Sequence, residues 1–344
     1  MHRNREKKEG KTIRWNRGVI GSLVAIFIVV TFAVVGVADA AAKKSLNFSG
    51  GSPGGNYNLV TTALSPLLAG GPSKISVFPE GSTGSPENVR RANSGEADLA
   101  LAFGSDLHEA WKGEGRFKTP LRNIRALAYM DANIAHVVTL AKSNILKFED
   151  LFDKKIALGP QGSGSSMNLE RLLRAMGAWD KVRRNAVFTG AMSASEALKD
   201  GHIAAYNWHV NIGNATYHDT ASMHDIRILD LDAPARASGF YTKYPYYTPF
   251  TIPAGIYRSV SKPVKTWATP TFWIVKDTFP EEVVYELLKV AFSDDSVRRM
   301  HEAVGMSARM NFGRDKALQG IPIPMHPGAI KYWKDQGFTV PEIR

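Results

Sequence analysis

Apolar residues in this chain alternate between short unbroken runs and longer stretches in which they recur every three or four positions. The runs at 46–48, 75–78, 97–103, 156–158 and 203–206 predict buried strands. Between them, Tyr57, Val60, Leu64, Leu67 and Leu68 fall on one helical face, as do Leu169, Leu172, Leu173 and Met176. Pro66 is expected to kink or end the first of these helices, because its ring removes an N–H and crowds the preceding turn. Ser85-Pro86-Glu87-Asn88 predicts a helix start with Ser85 as N-cap and Pro86 at the first helical position, and Gly95 ends that helix. Ser193-Ala194-Ser195-Glu196 has the form of a capping box, opening a short helix closed by Asp200-Gly201. Strands alternating with helices imply an α/β fold with mostly parallel sheets covered on both faces.

The pattern occurs twice. Each half begins with a strand, then a glycine-rich turn, then an amphipathic helix: Ser49-Gly50-Gly51-Ser52-Pro53-Gly54-Gly55 in one and Gly159-Pro160-Gln161-Gly162-Ser163-Gly164 in the other. Both halves then continue with a capped helix, a glycine and an apolar strand. Such turns present bare backbone N–H groups at helix N-termini, a means of holding an anionic small molecule between two lobes. The C-terminal third has no third glycine turn. It contains an aromatic, proline-rich stretch at 241–257, a strand near 272–275 and a helix at 281–292, and is expected to return to complete the first lobe. The expected division is residues 41–136 with 270–344 as lobe 1 and 137–269 as lobe 2. The two chain crossings are expected near 137–140 and 269–275.

The first 40 residues differ from the rest. Seven Lys or Arg stand within 1–17, an apolar run covers 19–37, and Ala38-Asp39-Ala40 follows. This reads as a secretory signal cleaved after Ala40, with an uncleaved membrane anchor as the alternative. Either way the remainder lies outside the cytoplasmic membrane, in the periplasm. The 344 residues include no cysteine, which excludes a lipid-modified N-terminus, and a fold this large needs no disulfides. The formal charge of +11 falls to +7 over residues 41–344, without a basic block interleaved with aromatics, so nucleic-acid binding has little support.

Gly50-Gly51-Ser52-Pro53-Gly54 matches G-x-S-x-G between a strand and a helix, the setting of a hydrolase nucleophile elbow. The residue after such a nucleophile must give its backbone N–H to the oxyanion, and Pro53 has none. There is no phosphate-binding loop and no G-x-G-x-x-G turn, and the nine histidines show no metal-ligand spacing. No metal, cofactor or catalytic residue is therefore expected. The remaining polar groups suit binding. Ser163, Ser165 and Ser166 stand at a helix start, where one must serve as a cap and the others can meet a ligand. Tyr57, Ser85 and Asn88 stand on the same side of the sheet, with capping and packing as their alternative roles.

These stretches make the chain resemble a solute receptor of the TRAP-associated extracytoplasmic immunogenic (TAXI) family. The residues that carry the resemblance are Gly54-Gly55-Asn56-Tyr57, the segments 84–88 and 94–100, the turn 159–165, the tyrosine- and proline-rich segment 244–257, and 320–329. The resemblance implies a two-lobed periplasmic binding protein of type II, with two hinge crossings. It further implies a monomer that captures a small organic anion, a carboxylate or an amino acid, for a membrane-embedded TRAP permease; a ligand-sensing module is the alternative. Expected ligand contacts are Gly55, Tyr57, Ser85, Asn88 and Phe103 from lobe 1, and Gly162, Ser163, Gly164, Ser165, Ser166 and Trp208 from lobe 2. Two departures from the family stand out. Phe103 places an aromatic where relatives commonly carry a polar residue, and Tyr206-Asn207-Trp208-His209 replaces a more apolar, glycine-containing run. Both strand ends are expected to line the cleft and to make it more aromatic than usual.

Overall fold

A computed structural model describes residues 45–69 and 75–343; the expected export segment, 1–40, lies outside the described residues. The chain begins with β1 (Ser45–Ser49), α1 (Asn56–Leu68), β2 (Ser76–Glu80), α2 (Ser85–Ser94), β3 (Leu99–Phe103) and α3 (Gly104–Lys112). The long β4 (Ile124–Leu140) follows, then β5 (Ile156–Ala157), α4 (Gly164–Ala175), α5 (Trp179–Val182), β6 (Ala186–Val187), α6 (Ala191–Lys199) and β7 (Ala205–Val210). After these come α7 (Ala215–Met223), β8 (Ile226–Ile228), α8 (Asp232–Ala237), α9 (Phe240–Lys243), β9 (Thr248–Ile252) and a second long strand, β10 (Val264–Lys276). The chain closes with α10 (Glu281–Ala291), α11 (Asp294–Val304), α12 (Met306–Asn311) and α13 (Pro327–Asp335). Among the described residues no helix is long and apolar enough to cross a membrane.

The described strands form one hydrogen-bonded sheet in the order β2-β1-β3-β10-β4-β7-β5-β6, with β8 on β4 and β9 on β10. Each end is parallel, β2-β1-β3 and β7-β5-β6, as strand–helix alternation predicts. The middle is not. Strands β10 and β4 run antiparallel to each other, and β10 pairs antiparallel with β3 as β4 does with β7, so the sheet is mixed rather than mostly parallel. Register shifts in β10 between Thr271 and Phe272 and between Trp273 and Ile274 bend the pair.

The two long strands pass through both lobes. One core gathers residues from 46–130 and 272–333, including Phe48, Leu64, Leu101, Trp273 and Trp333. Two further cores draw on residues between 134 and 268, among them Tyr206, Tyr217 and Tyr257 in one and Phe240, Tyr247 and Trp267 in the other. The change of core thus falls between Met130 and Ile134 in β4 and between Ala268 and Phe272 in β10. The first crossing comes earlier than the expected 137–140, because Val137, Val138 and Leu140 are already packed in the second lobe. At the C-terminal end, α10 to α13 add Leu288, Phe292 and Trp333 to the first core.

Local starts differ in two places. Gly84, at φ 116°, precedes α2, so Ser85 is its first helical residue rather than its cap. Helix α6 opens at Gly190, ahead of the expected capping box; Ser195 is inside it and its hydroxyl pairs with Thr220 Oγ1 at 2.7 Å. Pro66 does sit inside α1, two residues before its end.

Candidate functional site

Strand β10 is antiparallel to β3, β4 to β10 and β7 to β4, so β3 and β7 run in opposite directions, and the carboxyl ends of the two parallel groups, with the helices that follow them, face each other across the cleft. Three helix N-termini meet there. Gly55 precedes α1, Gly84 precedes α2 and Ser163 precedes α4. The two glycine starts have no side chain to cap the first-turn N–H groups. At the third, Ser163 Oγ accepts the N–H of Ser166 at 3.2 Å. These termini surround a cleft with about 370 Å³ of space, its open mouth included.

Of the expected contacts, the structure brings Gly55, Tyr57, Ser85, Phe103, Ser163, Gly164, Ser165 and Trp208 to the wall of this cavity. Three others are elsewhere. Asn88 is fully buried beneath the first turn, where Nδ2 donates to the carbonyls of Gly50 and Leu101, both at 2.7 Å, and Oδ1 accepts from Ser49 Oγ. Ser166 turns its hydroxyl back onto the Ser163 carbonyl at 2.9 Å. Gly162 lies against the exposed Arg116 guanidinium, which pairs with Glu170. Asn56, Asn133 and His209 also line the cavity; none is among the expected ligand contacts, although His209 belongs to the run 206–209 expected to line the cleft.

Ser85 and Ser165 make similar hydrogen bonds in the two lobes. Ser85 Oγ accepts the N–H of Phe103 at 2.8 Å, and Ser165 Oγ accepts the N–H of His209 at 3.1 Å. Each ties a helix start to the end of a neighbouring strand, β3 in one lobe and β7 in the other. A hydroxyl held by its lone pair keeps its proton to donate. In the first lobe that proton favours Asp106.

The lobes touch across the cavity. A β-carbon at Gly164 would lie 2.6 Å from the Phe103 ring, and one at Gly55 would lie 3.7 Å from the Trp208 indole nitrogen. Phe103 in turn packs edge-on to Tyr57, at 5.2 Å between centroids. The wall is therefore aromatic as well as polar.

None of the lining residues is Lys, Arg, Asp or Glu. Charge sits behind the wall instead. Arg171 of α4 bridges Asp106 at 3.1 Å and Glu109 at 2.7 Å, both on α3, and donates to Tyr247 at 3.0 Å. Burial raises the Asp106 carboxyl, opposed by Arg171. Beneath Asn56, burial pushes Asp131 up to about 6 against hydrogen bonds from Ser307, Asn56, Ala132 and Asn311. Burial also holds the His209 imidazole down at about 3, with His136 and Arg171 adding repulsion. The Tyr57 hydroxyl, buried and reached by Thr271 Oγ1 at 3.4 Å, stays protonated.

Ser52 lies on the wall too, but its Oγ donates to the Ser82 carbonyl at 3.4 Å, and Pro53 follows it. A lobe on each side of a cleft, two strands crossing between them and helix starts facing inward define a two-lobed α/β fold of the solute-binding kind. Residues 48–337 match the NMT1-like family, and the chain belongs to it.

Among solved structures the chain is similar to a point mutant of full-length BenM: TM-score 0.50, 12% identity, 88% of this chain and 83% of that one covered. It is also similar to MatC from Rhodopseudomonas palustris with bound malate (TM-score 0.49, 15% identity, covering 75% and 88%). A third is the periplasmic aliphatic sulphonate binding protein SsuA from Escherichia coli (0.42, 14%, 77% and 80%). At these identities the likeness is one of fold.

Proposed function

We propose that the protein is an extracytoplasmic receptor that captures a small organic anion and delivers it to a TRAP-type permease, binding without turnover. The observation that carries this reading is the meeting of three helix N-termini at one small, aromatic-walled cleft. Each N-terminus acts as roughly half a positive charge, so an acid group is held there without Lys or Arg. Lobe 2 offers the Ser165 hydroxyl and the first amides of α4 as the anchor, while Tyr57, Phe103 and Trp208 flank the apolar part. The motifs at 54–57, 84–88, 159–165 and 244–257 support the narrower TAXI assignment, and the segment 1–40 supports export to the periplasm. A division close to 41–136 with 270–344 and 137–269, with its first crossing moved to between Met130 and Ile134, and a monomeric state complete the proposal.

Calorimetric titration with small carboxylates and sulfonates tests it. Ser165→Ala removes one charge-assisted hydrogen bond, and affinity for the acid that binds is expected to fall about tenfold or more. Unchanged affinity would place the anchor elsewhere. Uptake of that acid by cells carrying the receptor and a TRAP permease, and not by cells lacking either, tests delivery.

A further inference from the structure

Two side chains on the cleft wall carry polar atoms with no partner in the protein, although both are almost fully buried. They are Asn56, 3% exposed, through Oδ1, and His209, 2% exposed, through both ring nitrogens. Folded proteins rarely leave such atoms unpaired, and two on the wall of one cavity mark where a ligand is read.

The orientation of the Asn56 amide is set from behind. Its Nδ2 donates to Asp131 Oδ2 at 2.9 Å and to Asn133 Oδ1 at 3.1 Å. A carboxylate only accepts, so the NH₂ must face it and the carbonyl oxygen is left over. Asp131 is itself fixed by Ser307 Oγ at 2.6 Å, Asn311 Nδ2 at 3.0 Å and the Ala132 N–H at 2.8 Å. Asn133 passes the polarity on, donating to Thr271 Oγ1 at 2.6 Å. The unpartnered Asn56 Oδ1 therefore calls for a donor.

His209 lies between the rings of Phe103 and Trp267, at 6.4 and 5.7 Å between centroids. Its buried ring is neutral, with one N–H and one lone pair, which is the complement of a hydroxyl. An ammonium would need a carboxylate, and the lining residues include none.

We propose that the cleft selects a hydroxylated acid, its hydroxyl end read by Asn56 Oδ1 and His209, with Asp131 as the residue that positions the Asn56 amide. This rests on the reading of the cleft as a site for a small organic acid. The test is calorimetric titration of the full-length chain with matched series: propionate, lactate and alanine; succinate, malate and aspartate; benzoate, 4-hydroxybenzoate and 4-methoxybenzoate. In any series that binds, the hydroxyl member is expected to bind at least about tenfold tighter than its unsubstituted, amino or methoxy counterpart. His209→Phe is expected to reduce that ratio to about threefold or less, and His209→Gln, which supplies an N–H donor and a carbonyl acceptor in place of the ring nitrogens, to restore part of it. Asp131→Asn lets the Asn56 amide turn and present its NH₂, so the preference for a donor over the methoxy acceptor is expected to shrink. Equal binding within each series, an amino member in first place, or a ratio unmoved by both His209→Phe and Asp131→Asn overturns this inference and leaves the acid-binding reading intact. If no acid of any series binds, the acid-binding reading fails and this inference falls with it.

Discussion

At the scale of single residues, Arg171 joins the lobes most firmly. It is 6% exposed, and its guanidinium is shared between Asp106 and Glu109 of the opposite lobe, with Asn168 and Tyr247 taking the remaining donors. Removing one partner of a buried ion pair costs about 3–5 kcal/mol, because the other charge is left uncompensated. Arg171→Ala would leave two carboxylates, and at roughly 2–4 °C per kcal/mol we expect its melting temperature to fall by on the order of 10 °C. Calorimetric melting checks this, and a fall of a degree or less would show that the cluster does not hold the lobes. The residues of the polar wall could not be found from local pattern. Asn56 stands at an ordinary helix start, and its partner Asp131 is 75 positions away. His209 stands in the run 206–209 expected to line the cleft, but nothing local marks it as a contact; its place follows from pairing with Ala135 in β4. Ser85, Ser165, Phe103 and Trp208 were legible because each belongs to a turn or strand end that the glycine motifs place by themselves.

At the scale of elements, the contact between the start of α4 and the end of β3 sets how closely the lobes meet. Gly164 has room for no side chain: a β-carbon there would stand 2.6 Å from the Phe103 ring and 3.2 Å from Ser85 Cβ. Gly164 is the first residue of α4 and has no left-handed backbone, so alanine suits its conformation and the folded lobe should tolerate it. What it obstructs is the approach of the other lobe. We therefore expect a melting temperature within a few degrees of the parent and an affinity for the cognate acid lower by about tenfold or more, since Phe103 must move aside. Small-angle scattering with saturating ligand should show the variant more open than the parent; identical profiles and affinities would place closure at another contact. The parallel ends of the sheet were legible, because strand, turn and helix recur locally in each half. The antiparallel centre was not. Strands β4 and β10 meet across more than a hundred residues, and their apolar runs carry no sign of which strand they pair with.

For the molecule as a whole, buried histidines set the response to acid. His136, stacked on Tyr217 and bonded to the Ile134 carbonyl, is held near 4, and His209 near 3, in both cases chiefly by burial. His326 is lowered for the same reason. In the unfolded chain each returns to about 6.5, so below that pH the unfolded state takes up protons that the native state refuses. Stability is then lost as pH falls, by about 1.4 kcal/mol per pH unit for each such histidine, until the folded value is reached. Asp131 works in the opposite sense. Its native value of about 6 lies above the ordinary carboxyl, so between about 6 and 4 the native state holds a proton that the unfolded state lacks. Asp131 offsets about one histidine over that range, Asp106, also raised by burial, acts in the same sense, and the remaining histidines still lose stability. Melting temperature is therefore expected to decline steadily from pH 7 to pH 4.5, measured by calorimetry at constant ionic strength. In Asp131→Asn the offset is gone, and the decline between pH 6 and 4.5 should be steeper than in the parent by about 1.4 kcal/mol per unit. A flat profile in the parent would mean that the interior histidines keep their ordinary value of about 6.5 in the folded state and take up protons below it. The His209 imidazole at the cleft would then be neutral only above that pH.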